Sequence, residues 1–149
     1  MLKNKKNKIK KIILASDHAG LELKDEIKKY LIKKRNKVLD LGTNNNKSVD
    51  YPDYAHLLSR KMNKNYNYFG ILVCGSGIGM QIAANRHNNS RAALCYNVKT
   101  AKLSRQHNDA NVITIGSRLT KKNDALKYIT TFLKTKFEGG SNLRRIKKI

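Results

Sequence analysis

The regular alternation of short apolar runs with stretches of helical periodicity constrains this chain most. Runs of three to five apolar residues at 12–15, 38–41, 69–73, 92–96 and 112–115 read as strands. Between them, Leu23, Ile27, Tyr30 and Leu31 share a helical face through about Lys34, and Ala55, Leu58 and Met62 share another. Further helices are expected around 81–86, 98–105 and 125–136. Strands this short, each separated from the next by a helix, predict a mostly parallel five-stranded sheet sandwiched between helices. In such sheets ligands bind beyond the carboxyl ends of the strands, so chemistry-bearing residues should follow strands.

A chain of 149 residues supports one domain. No apolar run approaches the roughly 20 residues that cross a bilayer. The run at 12–15 is also too short for a signal-peptide core of about 7–15 residues, and Asp17-His18 interrupts it. Cys74 and Cys95 form no C-x-x-C pair, metal-ligand spacing or disulfide framework. A soluble, cytoplasmic protein is expected. The net charge of +22 would by itself suggest a nucleic-acid partner. Its distribution argues otherwise: six lysines lie in residues 1–11 and four basic residues in 144–148, leaving 22 of the 32 spread over the helices against 10 acidic residues. Abundant Asn, Lys, Ile and Tyr suggest coding bias, and solvated helix faces account for the charge. Neither a membrane nor nucleic acid is expected as a partner.

Three clusters follow strands. In the first, Ser16 to Gly20, Asp17 could cap a helix or polarise a hydroxyl, and His18 has no comparable structural role. The second runs Cys74-Gly75-Ser76-Gly77-Ile78-Gly79-Met80. Backbone N–H groups there can receive an anion, but the third glycine is misplaced for G-x-G-x-x-G and the turn follows the third strand, which argues against a dinucleotide. A thiol at a helix mouth, as Cys74 would be, can serve as base or nucleophile, whereas Cys95 reads as a small buried hydrophobe. The third cluster, Ser104 to Asp109, sets His107, Asn108 and Asp109 side by side before the fifth strand, and Arg118 follows that strand. His56 and His87 read as surface residues.

Eight segments in order carry a family resemblance: Ser-Asp-His-Ala-Gly (16–20), Asp-Leu-Gly-Thr (40–43), Asp-Tyr-Pro-Asp-Tyr-Ala (50–55), Cys-Gly-Ser-Gly-Ile-Gly (74–79), Ile-Ala-Ala-Asn-Arg (82–86), Ser-Arg-Gln-His-Asn-Asp-Ala-Asn-Val (104–112), Gly-Ser-Arg (116–118) and Phe-Glu-Gly-Gly (137–140). The chain resembles the ribose-5-phosphate isomerase B family, which also holds galactose- and allose-6-phosphate isomerases. The resemblance covers about residues 11–149 and leaves 1–10 as a basic extension. It implies a three-layer α/β/α, Rossmann-like domain with a C-terminal arm at about 138–149. It also implies an aldose–ketose isomerase working through an enediolate in the pentose phosphate pathway, without metal or cofactor.

By the same resemblance Cys74 is the base that shuttles the carbon proton. Relatives that instead use a Glu carry it where this chain has Met80. Ser76 would assist at the hydroxyl end, and the N–H groups of Gly75, Gly77 and Gly79, with Asn108, would stabilise the enediolate. His107, helped by Asp17, would open the furanose ring. Tyr51 would contact substrate, while His18, Arg118 and Arg145 fall at phosphate-end positions. The arm would reach a neighbouring subunit's site, which implies a homodimer or a tetramer. Here Ser141 and Asn142 stand where relatives carry Arg-His. That departure keeps a hexose 6-phosphate or an unphosphorylated sugar open as substrate. A non-catalytic nucleic-acid-binding protein is the reading from another class; Cys74, His107 and Asp17 are all retained against it, and a basic groove interleaved with aromatics is absent.

Overall fold

The computed structural model describes residues 10–63 and 67–149; all but the last residue of the expected 1–10 extension lies outside them. The strands are β1 (Lys11–Ser16), β2 (Lys37–Asp40), β3 (Tyr68–Cys74), β4 (Ala92–Leu94) and β5 (Val112–Gly116). They form one sheet in the order β2-β1-β3-β5-β4, and every pairing is parallel, not merely most of them. The helices are α1 (Leu21–Lys33), α2 (Tyr51–Asn63), α3 (Ile78–Ala84), α4 (Val98–Asn108), α5 (Lys122–Lys134) and α6 (Ser141–Ile146).

Strand periodicity builds two apolar layers. Ile12, Leu14, Ile71, Val73, Ile113 and Ile115 face α1, α4 and α5, where Ile27, Leu31, Ala101, Ile129 and Phe132 meet them. On the other face Ile13, Ala15, Leu72, Cys74 and Val112 pack against Ala55, Leu58 and Met62 of α2 and Met80, Ala83 and Ala84 of α3. Helices on both faces bury the central strands twice over, which is why their sequences are continuously apolar rather than alternating. Among the described residues, no helix is long and apolar enough to cross a membrane.

One charged residue violates the pattern. Lys24 lies on the inner face of α1 with its side chain wholly buried, and its ammonium meets both carboxylate oxygens of Asp40 at 2.8 Å. Asp40 also accepts the Gly42 N–H at 2.9 Å and pairs with Lys28 at 3.1 Å, closing the β2 end of the sheet. Burial raises the Asp40 pKa, but Lys24, the Gly42 N–H and Lys28 outweigh it and hold the carboxyl below its ordinary range.

β4 is shorter than the apolar run at 92–96 implies. The Cys95 N–H still reaches the Thr114 carbonyl at 3.1 Å. Beyond it, the Tyr96 and Asn97 N–H groups turn to Thr100 Oγ1, and Asn97 Oδ1 accepts the Thr100 N–H at 2.7 Å. This reciprocal capping box starts α4 and takes the donors that would have prolonged the strand. Cys95 itself is buried, as expected, and burial pushes its thiol up to about 11. His56 and His87, expected at the surface, are half-buried and paired Nδ1 to Nε2 at 2.8 Å, because α2 and α3 pack together and bring the loop after α3 against α2. Burial, then His56 and Arg60, hold the His87 imidazole below its ordinary pKa.

Candidate active site

The loops that leave β1, β3 and β5 meet at the carboxyl end of the sheet and are tied to one another through the backbone. The Asp17 N–H donates to the Val73 carbonyl at 3.2 Å, the Ser117 N–H to the Cys74 carbonyl at 2.8 Å, and the Arg118 N–H to the Gly75 carbonyl at 3.1 Å. Ser117 Oγ donates to the Ala19 carbonyl at 2.8 Å, linking the β5 loop to the β1 loop. Three loops on a rigid sheet thereby hold Asp17, His18, Cys74, Ser76 and Arg118 around one floor.

Cys74 ends β3, 4% exposed, with its Sγ accepting the Gly77 N–H at 3.2 Å. Ser76 Oγ accepts the Ile78 N–H at 3.2 Å. Gly79 and Met80, which follow, have N–H groups with no partner among the described residues, as the first turn of a helix requires. A sulfur held by one N–H donor, with two unclaimed donors next to it, is an arrangement that receives developing negative charge.

Glycine is structurally required here at two positions. Gly77 sits at φ +78°, and a Cβ on it would lie 2.6 Å from the Leu94 side chain and 2.9 Å from the Ile115 backbone. At Gly79 a Cβ would lie 2.5 Å from the Tyr51 ring, so the absent side chain is what lets Tyr51 lie over the loop. Gly77→Ala combines left-handed strain with overpacking against backbone, and is expected to cost about 2–4 kcal/mol. A lower thermal midpoint together with lower turnover is the result that checks it.

Tyr51 and His18 are joined through the segment after β2. His18 Nδ1 accepts the Val49 N–H at 3.2 Å, which puts the ring's proton on Nε2 and anchors the chain two residues before Tyr51. The Arg118 guanidinium lies against Gly75, where a Cβ would meet Nη1 at 2.9 Å. Asp17 is 6% exposed and its Oδ1 accepts the Gly20 N–H at 3.0 Å, which fastens the turn before α1; the N-cap itself is Gly20, so Asp17 is not the helix cap that the sequence allowed.

His107, Asn108 and Arg145 are elsewhere. α4 runs back along the sheet, so its last turn lies at the amino ends of the strands. Arg91, which leads into β4, holds the Asn108 carbonyl at 3.2 Å through Nε, and Asn111, next after Ala110, gives its carbonyl to the Gly70 N–H near the start of β3. From Gly70 to Cys74 is four residues of strand, about 13 Å. The arm starts at the same end: the Glu138 N–H donates to the Gln106 carbonyl at 3.1 Å, and Glu138 Oε2 lies 3.8 Å from His107 Nε2. Within one chain the carboxylate beside His107 is therefore Glu138 and not the expected Asp17. Arg145 is exposed on α6, its Nη1 donating to Asn142 Oδ1 at 3.2 Å.

The sequence-based candidates thus fall into two groups at opposite ends of the sheet. One group is Asp17, His18, Tyr51, Cys74 to Gly79 and Arg118; the other is His107, Asn108 and Arg145. The Lys24–Asp40 pair and the anchoring of His18 by Val49 escaped the sequence reading. A lysine on the inner face of α1 was the available signal for the first, and no signal in the sequence foretells the second. Among the described residues, no group of three or more His, Cys, Asp or Glu side chains is placed to hold a metal ion.

Known proteins share this layout. The family model described as Ribose/Galactose Isomerase matches residues 12–149. A probable ribose-5-phosphate isomerase B from Mycoplasma pneumoniae is 46% identical over 139 residues, covering 93% of this chain and 91% of that one. The crystal structure of a ribose 5-phosphate isomerase from Thermotoga maritima superposes with a TM-score of 0.91 at 48% identity, covering 93% of this chain and 95% of that one. The Mycoplasma genitalium ribose-5-phosphate isomerase B structure with bound ribulose-5-phosphate gives 0.90 at 45% identity, over 93% and 92%. A match that takes in both ends of the sheet, the Cys74 loop and the arm alike, shows that this chain belongs to the ribose/galactose isomerase family.

Proposed function

We propose that the protein interconverts ribose 5-phosphate and ribulose 5-phosphate through an enediolate, at a site that two copies of the chain build together. The observation that carries this reading is Cys74, a nearly buried thiol at a strand end whose sulfur accepts an N–H beside two unclaimed donors. As thiolate, Cys74 takes the proton from C2 of the open-chain aldose, and the electron pair moves into an enediolate. Returning that proton to C1 gives the ketose. Ser76 passes the hydroxyl proton between O1 and O2, so the reaction is balanced within the substrate. The Gly75, Gly79 and Met80 N–H groups face the oxyanion, while the Gly77 N–H holds the sulfur. His18 and Arg118 take the phosphate end, and Tyr51 covers the sugar. That substrate is also the one named for the Mycoplasma genitalium relative with bound ribulose-5-phosphate.

Ring opening needs a proton shuttle at the ring oxygen, and His107 is the candidate. His107 and Asn108 lie a strand's length from Cys74 of their own chain, so they serve the site of a second copy, paired with that copy's Asp17. Arg145 comes with them on the arm. In a two-fold dimer each copy then gives one end and receives the other.

Mixing tests the shared site. Cys74→Ala and His107→Ala homodimers should each be nearly inactive on ribose 5-phosphate. After subunit exchange, half of the dimers are hybrids with one intact site, so about a quarter of wild-type turnover should return. No recovery in confirmed hybrids would refute the shared site, and no turnover by wild type would refute the substrate. Ser141 and Asn142 motivate the second reading, a different sugar, and competing hexose 6-phosphates against ribose 5-phosphate in one assay decides it.

A further inference from the structure

The amino end of the sheet carries a feature that this reaction does not use. A cavity of about 610 Å³ opens there between the starts of β1, β3 and β5, the end of α2 and the loop into β4. That volume lies within the roughly 300–1,000 Å³ of small-molecule sites. Lys10, Lys11, Arg91 and Arg105 line it, and among the described residues Asp109 is the one carboxylate in its wall. Both oxygens of Asp109 are already engaged, Oδ1 by Arg105 Nη1 at 2.8 Å and Oδ2 by Arg91 Nη2 at 3.2 Å. The two guanidiniums thus already neutralise that carboxylate.

The two guanidiniums are fixed in place. Arg91 Nε donates to the Asn108 and Asp109 carbonyls, while Arg105 reaches the Thr135 carbonyl through Nε and the Ala110 carbonyl through Nη1. Arg105 also lies 5.1 Å over the Phe69 ring. What these contacts leave is Arg91 Nη1 and Arg105 Nη2, which have no hydrogen-bond partner among the described residues. Lys10 and Lys11 line the same opening, set over the rings of Phe69 and Tyr68 at 5.4 and 5.7 Å, one toward each face of the sheet. Rigid guanidinium forks with spare N–H donors, flanked by ammonium groups, match the oxygens of a phosphate group.

We propose that this cavity is a second binding site, separate from the Cys74 end, that takes a compact phosphorylated anion. Within one chain, Tyr68 and Phe69 open β3 and Cys74 closes it, which sets the cavity about 16–20 Å along the strand from that chain's own Cys74. The concave shape and limited volume favour a small ligand over a nucleic-acid strand, which would need an open basic track.

Calorimetric titration of the full-length protein with inorganic pyrophosphate at about 0.15 M salt tests this, in an Arg118→Ala background that weakens the phosphate end of the isomerase site. One saturable site per chain is expected. Adding Lys10→Ala and Lys11→Ala should weaken it at least about tenfold. Removing the same charge from exposed positions at the carboxyl end of the sheet, by Lys99→Ala and Lys121→Ala, should leave it within about twofold. All four lysines lie outside the catalytic groups, so unchanged thermal midpoints verify folding. Absence of saturable binding would overturn the proposal, as would equal weakening by the two lysine pairs. So would displacement of pyrophosphate by an RNA oligonucleotide with a steep salt dependence, which would make the surface a nucleic-acid one.

Discussion

Cys74→Ala should lower kcat/KM for ribose 5-phosphate by about 10²–10⁴-fold, the range that a positioned general base contributes. The loss should fall on kcat, because in the proposed mechanism Cys74 acts on the carbon proton while His18 and Arg118 hold the phosphate. In D2O the wild type should place solvent deuterium on the interconverted carbons, and the variant should lose that exchange in step with turnover. The fold has less at stake: only the Gly77 N–H loses its acceptor, about 1–3 kcal/mol if it then stays unsatisfied. Cys95→Ala is the matched control. Its thiol is pushed up to about 11 by burial, offers no thiolate near neutrality, and lies on the opposite face of the sheet from the Cys74 side chain. Full activity in Cys74→Ala would remove the thiol from the mechanism, whatever the family does.

The largest effect on stability should come from Asp40→Asn. The wholly buried Lys24 ammonium would lose its charged partner and one of two short acceptors, keeping as carboxylate only Asp25, 3.5 Å away and half exposed. Stranding a buried charge costs about 3–5 kcal/mol, which for a chain of this size is a thermal midpoint lower by roughly 6–20 °C. Lys24→Met should cost less, because the methionine fills an apolar niche while Asp40 keeps Lys28 and the Gly42 N–H. The pH dependence has a definite sign. A carboxyl held below its ordinary range adds stability that is complete above the unfolded value, and this stability is lost as pH falls through the folded one. The wild type's advantage over Asp40→Asn should therefore be full at pH 7 and shrink below about pH 4. Chemical denaturation at several pH values measures it. A constant difference across that range would refute the pairing as its source.

Much of the fold was legible because the central strands β1, β3 and β5 are buried on both faces. Burial of that kind writes itself into the chain as a continuous apolar run, and the five runs became five parallel strands in the expected places. Where apolarity and strand length parted, at 95–96, the cause was local hydrogen bonding: the Asn97–Thr100 capping box claims the donors, and hydrophobicity carries no record of that competition. The glycines of 75–79 were readable as a backbone feature, since Gly77 holds a positive φ and Gly79 admits the Tyr51 ring.

The sequence by itself determined the layer order of the fold, the strand-end location of Cys74 and the chemistry available there, because these depend on local pattern and on residue type. It could not determine which candidates share a site. That Glu138 and not Asp17 lies beside His107 within one chain, and that the candidates split between the two ends of the sheet, follow from the direction of α4 relative to β3. That direction is set by packing between elements far apart in the chain. The burial of Lys24 against Asp40 is likewise a contact across 16 residues, made when α1 docks on the β2 edge. Three-dimensional closure decided these matters, since distance between ends of a sheet is a property of the assembled layers and not of any segment.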